Sequence, residues 1–413
     1  MKLGRRQIVL SSLALMGGCG GGGVRADTPA SAPNNTSLAP PQRASRSIHP
    51  YPNYNTSPLA PDASGMPSTA TEIATRIKAA WNAGNTLEAI GGETAWGNPQ
   101  ITRELINFVK ASGFDAVRLP CSWDQYSNQS TAAISATWLD RVKQVVQYCI
   151  DADLYVLLNI HWDGGWLETH VDTASKYQVA LKQRAFWEQI ATHLRDFDER
   201  LMFASANEPA VETAEQMGVL SYYHQTFVDA VRSTGGRNAY RTLVVQGPST
   251  NIDRTDTLWT AMPTDPAANR LMAEVHFYDP YQFTIMPEDQ SWGLVFYYWG
   301  RDFHSTIQPS RNATWGEEDF VTQEMAKMKS KFVDAGVPVI LGEYGLSGPR
   351  SGVAEPNLHL ASRAHWMKTV TQQALANGVL PFFWDTGGLI DRRNLTILDQ
   401  AGLDALMEGA GKK

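Results

Sequence analysis

Cysteine is scarce in this chain: Cys19, Cys121 and Cys149 are the only three among 413 residues. Cys121 and Cys149 alone follow Cys19, too few to staple a scaffold, and both are read as free or buried. Positive charge is not in excess either, with 35 Lys and Arg against 42 Asp and Glu, which argues against a nucleic-acid partner held by a basic patch. No His-x-His or His-Glu-x-x-His spacing occurs, so no metal hydrolase centre is expected. No Gly-x-Ser-x-Gly elbow is present, which disfavours a serine esterase. No Gly-rich phosphate fingerprint follows the first strand, so a dinucleotide fold lacks its signature.

What is abundant is tryptophan, 13 residues, in a chain that is 43% hydrophobic and able to bury a large core. Flat indoles suit a sugar-binding groove as well as packing. Lys2, Arg5 and Arg6 precede the apolar run Ile8 to Met16, too short to span a bilayer, which reads as an export signal. The run closes on Gly17-Gly18-Cys19, similar to a bacterial lipobox, in which Cys19 would be lipidated. Residues 1–19 are therefore expected to be a signal peptide, and residues 20–68, rich in Gly, Pro and Ser, a disordered linker. The rest, 69–413, is expected to be one catalytic domain whose only tie to a membrane is that lipid anchor. The protein is expected at the periplasmic or outer cell surface, or otherwise secreted.

From Thr69 onward apolar runs alternate with helical patterns. Strands are expected at Trp81–Ile90, Phe114–Leu119, Leu154–Ile160, from Leu201, at Leu243–Gln246 and Leu271–Tyr278, around Val339, and at Val379–Trp384. Helices are expected at Pro99–Ser112, Trp138–Ile150, Phe186–Phe197, Tyr222–Val231, Phe320–Ala335 and Ala364–Ala376. Eight such strands, each continuously apolar as buried parallel strands are, predict a (β/α)8 barrel. Such a barrel gathers the residues at its strand ends on one face. These are Arg118, then Asn159 and His161, Asn207 and Glu208, His276 and Tyr278, Glu343, and Trp384. Glu208 precedes Pro209, which cannot continue a sheet ladder, and Glu343 ends a second apolar run of the same design. Two carboxyls at one mouth suit glycosidic bond cleavage, one protonating a leaving oxygen while the other attacks.

Asn207-Glu208-Pro209, Glu343, Arg118, His161, His276, Tyr278 and Trp384, taken in order, resemble glycoside hydrolase family 5, retaining hydrolases on a (β/α)8 barrel. The stretch from Trp81 to Ala89 and that from Glu93 to Pro99 resemble the first-strand signature of its endo-β-1,4-glucanase, xyloglucanase and lichenase branch. The resemblance implies no cofactor and no metal. It makes Glu208 the acid/base, Glu343 the nucleophile and Asn207 a partner of the sugar 2-hydroxyl. Arg118 and Tyr278 would hold Glu343, His161 and His276 would position sugar and acid/base, and Trp384 would lie under the reacting sugar. Ala80, Ala83 and Trp162-Asp163 depart from that branch, which leaves the substrate preference open.

Trp96, Trp123, Tyr126, Trp162, Trp166 and Trp292 are candidate stacking platforms on the mouth loops, and Trp292 to Trp299 reads as an inserted helix over the mouth. The expected activity is endo-cleavage of a β-1,4-glucan by a monomer. Xyloglucan or mannan as substrate is the alternative, and a polysaccharide-binding lipoprotein without turnover is the rival of another class.

Overall fold

A computed structural model describes residues 51–412. The signal peptide, Cys19 and the first part of the expected linker lie outside the described residues. Eight parallel strands close into a barrel in chain order: β1 Ala80–Ala83, β2 Ala116–Leu119, β3 Tyr155–Asn159, β4 Leu201–Ala204, β5 Leu243–Gln246, β6 Leu271–Phe277, β7 Val339–Tyr344 and β8 Val379–Asp385, with β8 pairing back onto β1. The helices are α1 Ala70–Ala74, α2 Arg103–Ala111, α3 Ala136–Asp151, α4 Lys176–His193, α5 Ala214–Ser233, α6 Ile252–Leu258, α7 Tyr281–Thr284, α8 Glu318–Lys331, α9 Pro356–Ala376 and α10 Gln400–Gly409. The predicted barrel is the one observed.

Strand periodicity sorts the side chains into two populations. Those pointing out, such as Trp81, Val117, Phe203 and Leu341, join the helices in one large core. Those pointing in form a smaller cluster, among them Leu157, Met202, Val244, Met272 and Ile340, closed from below by Ala70, Ile73 and Ile77 at α1. α1 is a short plug, capped at Thr69 by a reciprocal bond with Glu72. One step further along the strands the inward positions turn polar: Asn82, Arg118, Asn159, Gln246 and Glu274, all fully buried. The barrel thus carries an apolar floor and a polar layer above it.

Three expectations need correction. The first strand stops at Ala83, because Gly84 lies so close to β8 that a Cβ would sit 2.9 Å from the Asp385 carbonyl, and Asn85 takes a left-handed φ of 59°. The linker does not extend to Ser68. Residues 51–68 form a strap along α4 and α5: Tyr54 donates its amide to Glu188 and its hydroxyl to the Thr131 carbonyl, Leu59 bonds the Thr234 carbonyl, and Ser68 bonds Glu199. Its composition is poor in apolar residues, so it is held by hydrogen bonds more than by burial. Finally, Trp292 to Trp299 is not a helix but part of an irregular loop joined by bridges between Gln290 and Gly293 and between Tyr298 and Asn312. Val295, Phe296, Tyr298 and Trp299 turn inward while Trp292 and Leu294 stay exposed, and Trp299 is fully buried and bonded to Ser362 and Gly316.

The strap gives a test. A Cβ at Gly235 would lie 1.8 Å from the Leu59 carbonyl oxygen, at a φ of 67°. Gly235→Ala should cost about 1–3 kcal/mol of stability through strain and displacement of the strap. Thermal unfolding measures it, and turnover at 25 °C should be unchanged because Gly235 is remote from the barrel mouth.

Candidate active site

Backbone irregularity, as much as side-chain choice, aims the two carboxyls. On β7 Ile340 points in and Leu341 out, so strict alternation would send Glu343 out toward the helices. Against β6, however, Leu341 pairs with Val275 and Glu343 with His276, leaving Gly342 without a partner. Against β8 the same extra residue appears, since Gly342 and Glu343 together stand opposite Phe382. This bulge returns Glu343 to the barrel axis. On the other carboxyl strand, β4 ends at Ala204, and the chain beyond it is caught by side chains: Ala206 donates to Gln246 at 2.8 Å and Glu208 donates its amide to Glu168 at 2.6 Å.

Arg118 sits at the centre of the mouth floor. Its guanidinium donates to Glu343 Oε1 at 2.8 Å, to Asn207 Oδ1 at 2.8 Å and to Asn82 Oδ1 at 3.1 Å. Its Nε faces Glu274 Oε1 at 3.1 Å as an ion pair, off the line of a hydrogen bond. Tyr278 donates to Glu343 Oε2 at 3.0 Å, so both oxygens of Glu343 are held. His276 Nδ1 lies 2.8 Å from Glu208 Oε1 and 3.8 Å from Glu343 Oε2, between the two carboxyls. Its Nε2 meets Glu274 Oε1 at 3.3 Å. One oxygen of Glu208 and one of Glu343 lie within 4.8 Å of each other. His161 stacks on Trp384 with ring centroids 5.7 Å apart and is held by Asn159.

The charges follow from this packing. Burial alone would lower the His276 pKa, but the carboxylates of Glu343, Glu208 and Glu274 outweigh it and raise it to about 9. That direction favours the imidazolium form of His276 at neutral pH. Burial lowers His161 well below its ordinary value, reinforced by Arg118 and His276, so this imidazole is neutral. Burial also raises the Glu343 carboxyl, while His276 and Arg118 pull against that rise and Glu208 adds to it. Tyr278 is pushed well up by burial and by Glu343 and stays a phenol able to donate. Glu168, buried behind Glu208, is raised to about 7 by burial and by the neighbouring Glu208 charge.

The structure thus joins Arg118, Asn207, Glu208, His276, Tyr278 and Glu343 in one network, with the His161–Trp384 pair beside it. Trp96, Trp162 and Trp292 stand on the loops after β1, β3 and β6. Trp292 is 63% exposed and stacks on Tyr281. Trp123 is not a platform: it is fully buried and bonds the Asn159 carbonyl. Tyr126 lies flat on Trp138, and Trp166 is pinned by Asp163 and packs edge-on to Phe186, so these two also serve packing. Sequence reading missed Asn82, Gln246, Glu274 and Glu168. The first three carry a signal, a polar residue within an otherwise apolar strand. Glu168 carries none.

The sequence model of Cellulase (glycosyl hydrolase family 5) matches residues 80–388. The chain belongs to glycoside hydrolase family 5. It is 38% identical over 391 residues to a xyloglucan-specific endo-β-1,4-glucanase of Bacteroides ovatus, covering 88% of this chain and 75% of that protein. It is 35% identical over 373 residues to endoglucanase A of Paenibacillus barcinonensis, covering 83% of this chain and 90% of that one. Among solved structures it superimposes with a TM-score of 0.78 and 39% identity on a family 5 xyloglucan-specific β-1,4-glucanase from a ruminal metagenomic library in complex with XXLG, covering 84% of this chain and 97% of the other.

Arg118 binds three acceptors, from β1, β7 and the loop after β4, with one planar group, a geometry that an ammonium cannot copy. Arg118→Ala should lower kcat/KM on the order of 10²-fold or more. Arg118→Lys should restore little of that, while circular dichroism of both variants stays that of the parent. Recovery in the lysine variant would mean that charge alone, without the fork, is what the site needs.

Proposed function

We propose that the protein is a retaining, endo-acting glycoside hydrolase that cleaves β-1,4-linked glucan, cellulose-type or mixed-linkage, by double displacement. The observation that carries the mechanism is the approach of Glu208 and Glu343 to within 4.8 Å. Retaining pairs stand about 5–5.5 Å apart and inverting pairs about 6.5–9.5 Å, the larger gap making room for water. Glu343, the more enclosed carboxylate, attacks the anomeric carbon while Glu208 gives its proton to the departing glycosidic oxygen. Glu208 then takes a proton from water, and that water releases the sugar from Glu343. In this reading Asn207, bonded by Arg118, takes the sugar 2-hydroxyl, and Trp384, stacked on His161, lies under the reacting sugar.

Xyloglucan is the second reading for the same chemistry. It is favoured by the xyloglucan-specific names of the Bacteroides ovatus and ruminal relatives. Reducing-end release from carboxymethylcellulose, mixed-linkage glucan, xyloglucan and mannan separates these polymers, and binding without release from any would support the non-catalytic lipoprotein instead. Retention is tested by NMR of the first-formed product, which should be the β-anomer. Glu208→Ala should keep activity on substrates with good leaving groups and yield a β-glycosyl azide in added azide, because Glu343 still forms the intermediate. Glu343→Ala should not. An α-anomer from the parent enzyme would mean inversion.

The setting is read from the N-terminal sequence: export, with Cys19 as the lipidated anchor of a monomer at the periplasmic or outer cell surface. Cys19→Ser should shift the protein from the membrane to the soluble fraction at unchanged specific activity. Persistent membrane association would overturn the anchor.

A further inference from the structure

The mechanism above uses Glu208, Glu343, Asn207 and Arg118 of the mouth and gives no part to the carboxylate buried beneath them. Glu274 lies on β6, two residues before His276 and on the same inward face, with no solvent exposure. Its Oε1 stands 3.1 Å from Arg118 Nε and 3.3 Å from His276 Nε2, and its Oε2 accepts from Gln246 at 2.6 Å. The backbone makes room for it: a Cβ on Gly342 would lie 2.0 Å from Glu274 Oε1. Gly342 is also the extra residue of the bulge that aims Glu343 inward. One glycine therefore serves both carboxylates.

We propose that Glu274 is a positioning residue for the glycosidase reaction: its carboxylate fixes the ring orientation and the positive charge of His276, the side chain that bridges the acid/base and the nucleophile. An imidazole that donates from Nε2 to a carboxylate below presents Nδ1 upward, and Nδ1 is the atom that meets Glu208 at 2.8 Å and Glu343 at 3.8 Å. A cation there offsets the repulsion between carboxyl groups held this close and favours the ionised form of Glu343 beside Glu208. The charged groups around His276 stand three to one in favour of this state. Glu208 from the end of β4 and Glu343 from β7 favour the cation. Arg118 from β2 opposes it, His161 from β3 is neutral, Tyr278 on β6 is a phenol, and Glu274 supplies the third carboxylate from beneath. Glu274 itself is drawn below its usual range because Arg118 and His276 outweigh its burial. Glu274 has no solvent exposure, so its part in the reaction is taken through His276.

This inference rests on the roles given to Glu208 and Glu343 and is independent of which polymer is cut, so it is read on an aryl β-cellobioside. Glu274→Gln keeps the size and the bond to Gln246 but removes the charge. Expected are a fall in kcat of about tenfold or more, KM within about threefold of the parent, and an alkaline limb of kcat/KM moved about one pH unit toward acid. The sign follows because the proton shared among His276, Glu208 and Glu343 leaves more readily once a neighbouring negative charge is gone. Glu274→Asp, which keeps the charge, should hold the limb near its parental position. In a His276→Gln background Glu274→Gln should add little, since the group through which it acts is absent. An unmoved limb with a lowered Tm, or additive losses in the double variant, would make Glu274 merely structural. The parent enzyme gives a measurement that no folding defect can spoil: ¹⁵N NMR of its histidines, with His276 assigned by its loss in His276→Gln. Protons on both His276 nitrogens at pH 7 are expected, and a neutral ring would overturn the proposal. If instead the glycosidase roles are wrong, azide rescue of Glu208→Ala fails while the His276 signals remain those of a cation.

Discussion

The buried guanidinium of Arg118 is the interaction on which the rest of the mouth depends. It lies without solvent exposure on β2 and reaches groups from four other elements, Asn82 of β1, Asn207 beyond β4, Glu274 of β6 and Glu343 of β7. Burial works against such a cation, and the carboxylates of Glu274 and Glu343 outweigh it, holding its pKa above the ordinary value. Removing one partner from a buried ion pair typically costs about 3–5 kcal/mol because the remaining charge is stranded. The group is thus a tie as well as an electrostatic device: the strand ends cannot drift apart without leaving it unpaired. His276 extends the same balance upward, with Glu274 beneath it and Glu208 and Glu343 above.

This charge layer exists because the layer below it is apolar and closed. Met202, Val244, Met272 and Ile340 fill the barrel axis, and α1 seals the far end. Water is kept from the underside of Arg118 and Glu274, which strengthens every interaction between them. The bulge at Gly342 then couples the layer to the chemistry. Without an extra residue on β7, Glu343 would point at the helices, and with any side chain at Gly342 the Glu274 carboxylate would be displaced.

The barrel was legible in the sequence because each strand is a continuous apolar run with a polar residue at its end. Glu208, Glu343, Arg118, His276 and Tyr278 were legible for the same reason, since a barrel collects its strand ends at one mouth. Element ends were less so. Gly84 and Asn85 end β1 through a close approach to β8 that no local pattern reveals. The 51–68 strap looked like linker because composition reports burial, and this segment is held by hydrogen bonds to α4, α5 and neighbouring loops. Ring placement failed for Trp123, Tyr126 and Trp166 because an indole or phenol can face sugar or core with the same sequence around it. Glu274 was overlooked as part of an apolar run, although a lone acid there, two residues from His276, marks a face that must find a cation.

The two catalytic candidates are unequal in a way that bears on their roles. The Glu208 side chain is 34% exposed and the Glu343 side chain 7%. A nucleophile has to stay fixed through two displacements at one carbon, and Glu343 is held by Arg118 on one oxygen and by Tyr278 on the other. An acid/base has to release a proton to a departing oxygen and then draw one from water arriving at the vacated place, so it needs access to solvent on one side. Glu208 has that access, while its backbone is fixed by Glu168 and its carboxylate by His276. The same pair of residues with exposures exchanged could form a covalent sugar but would hydrolyse it poorly, because the enclosed carboxyl would have no path to water. Retention and turnover therefore draw on one asymmetry, a rigid buried glutamate on the bulged strand and a wet one on the strand that ends early.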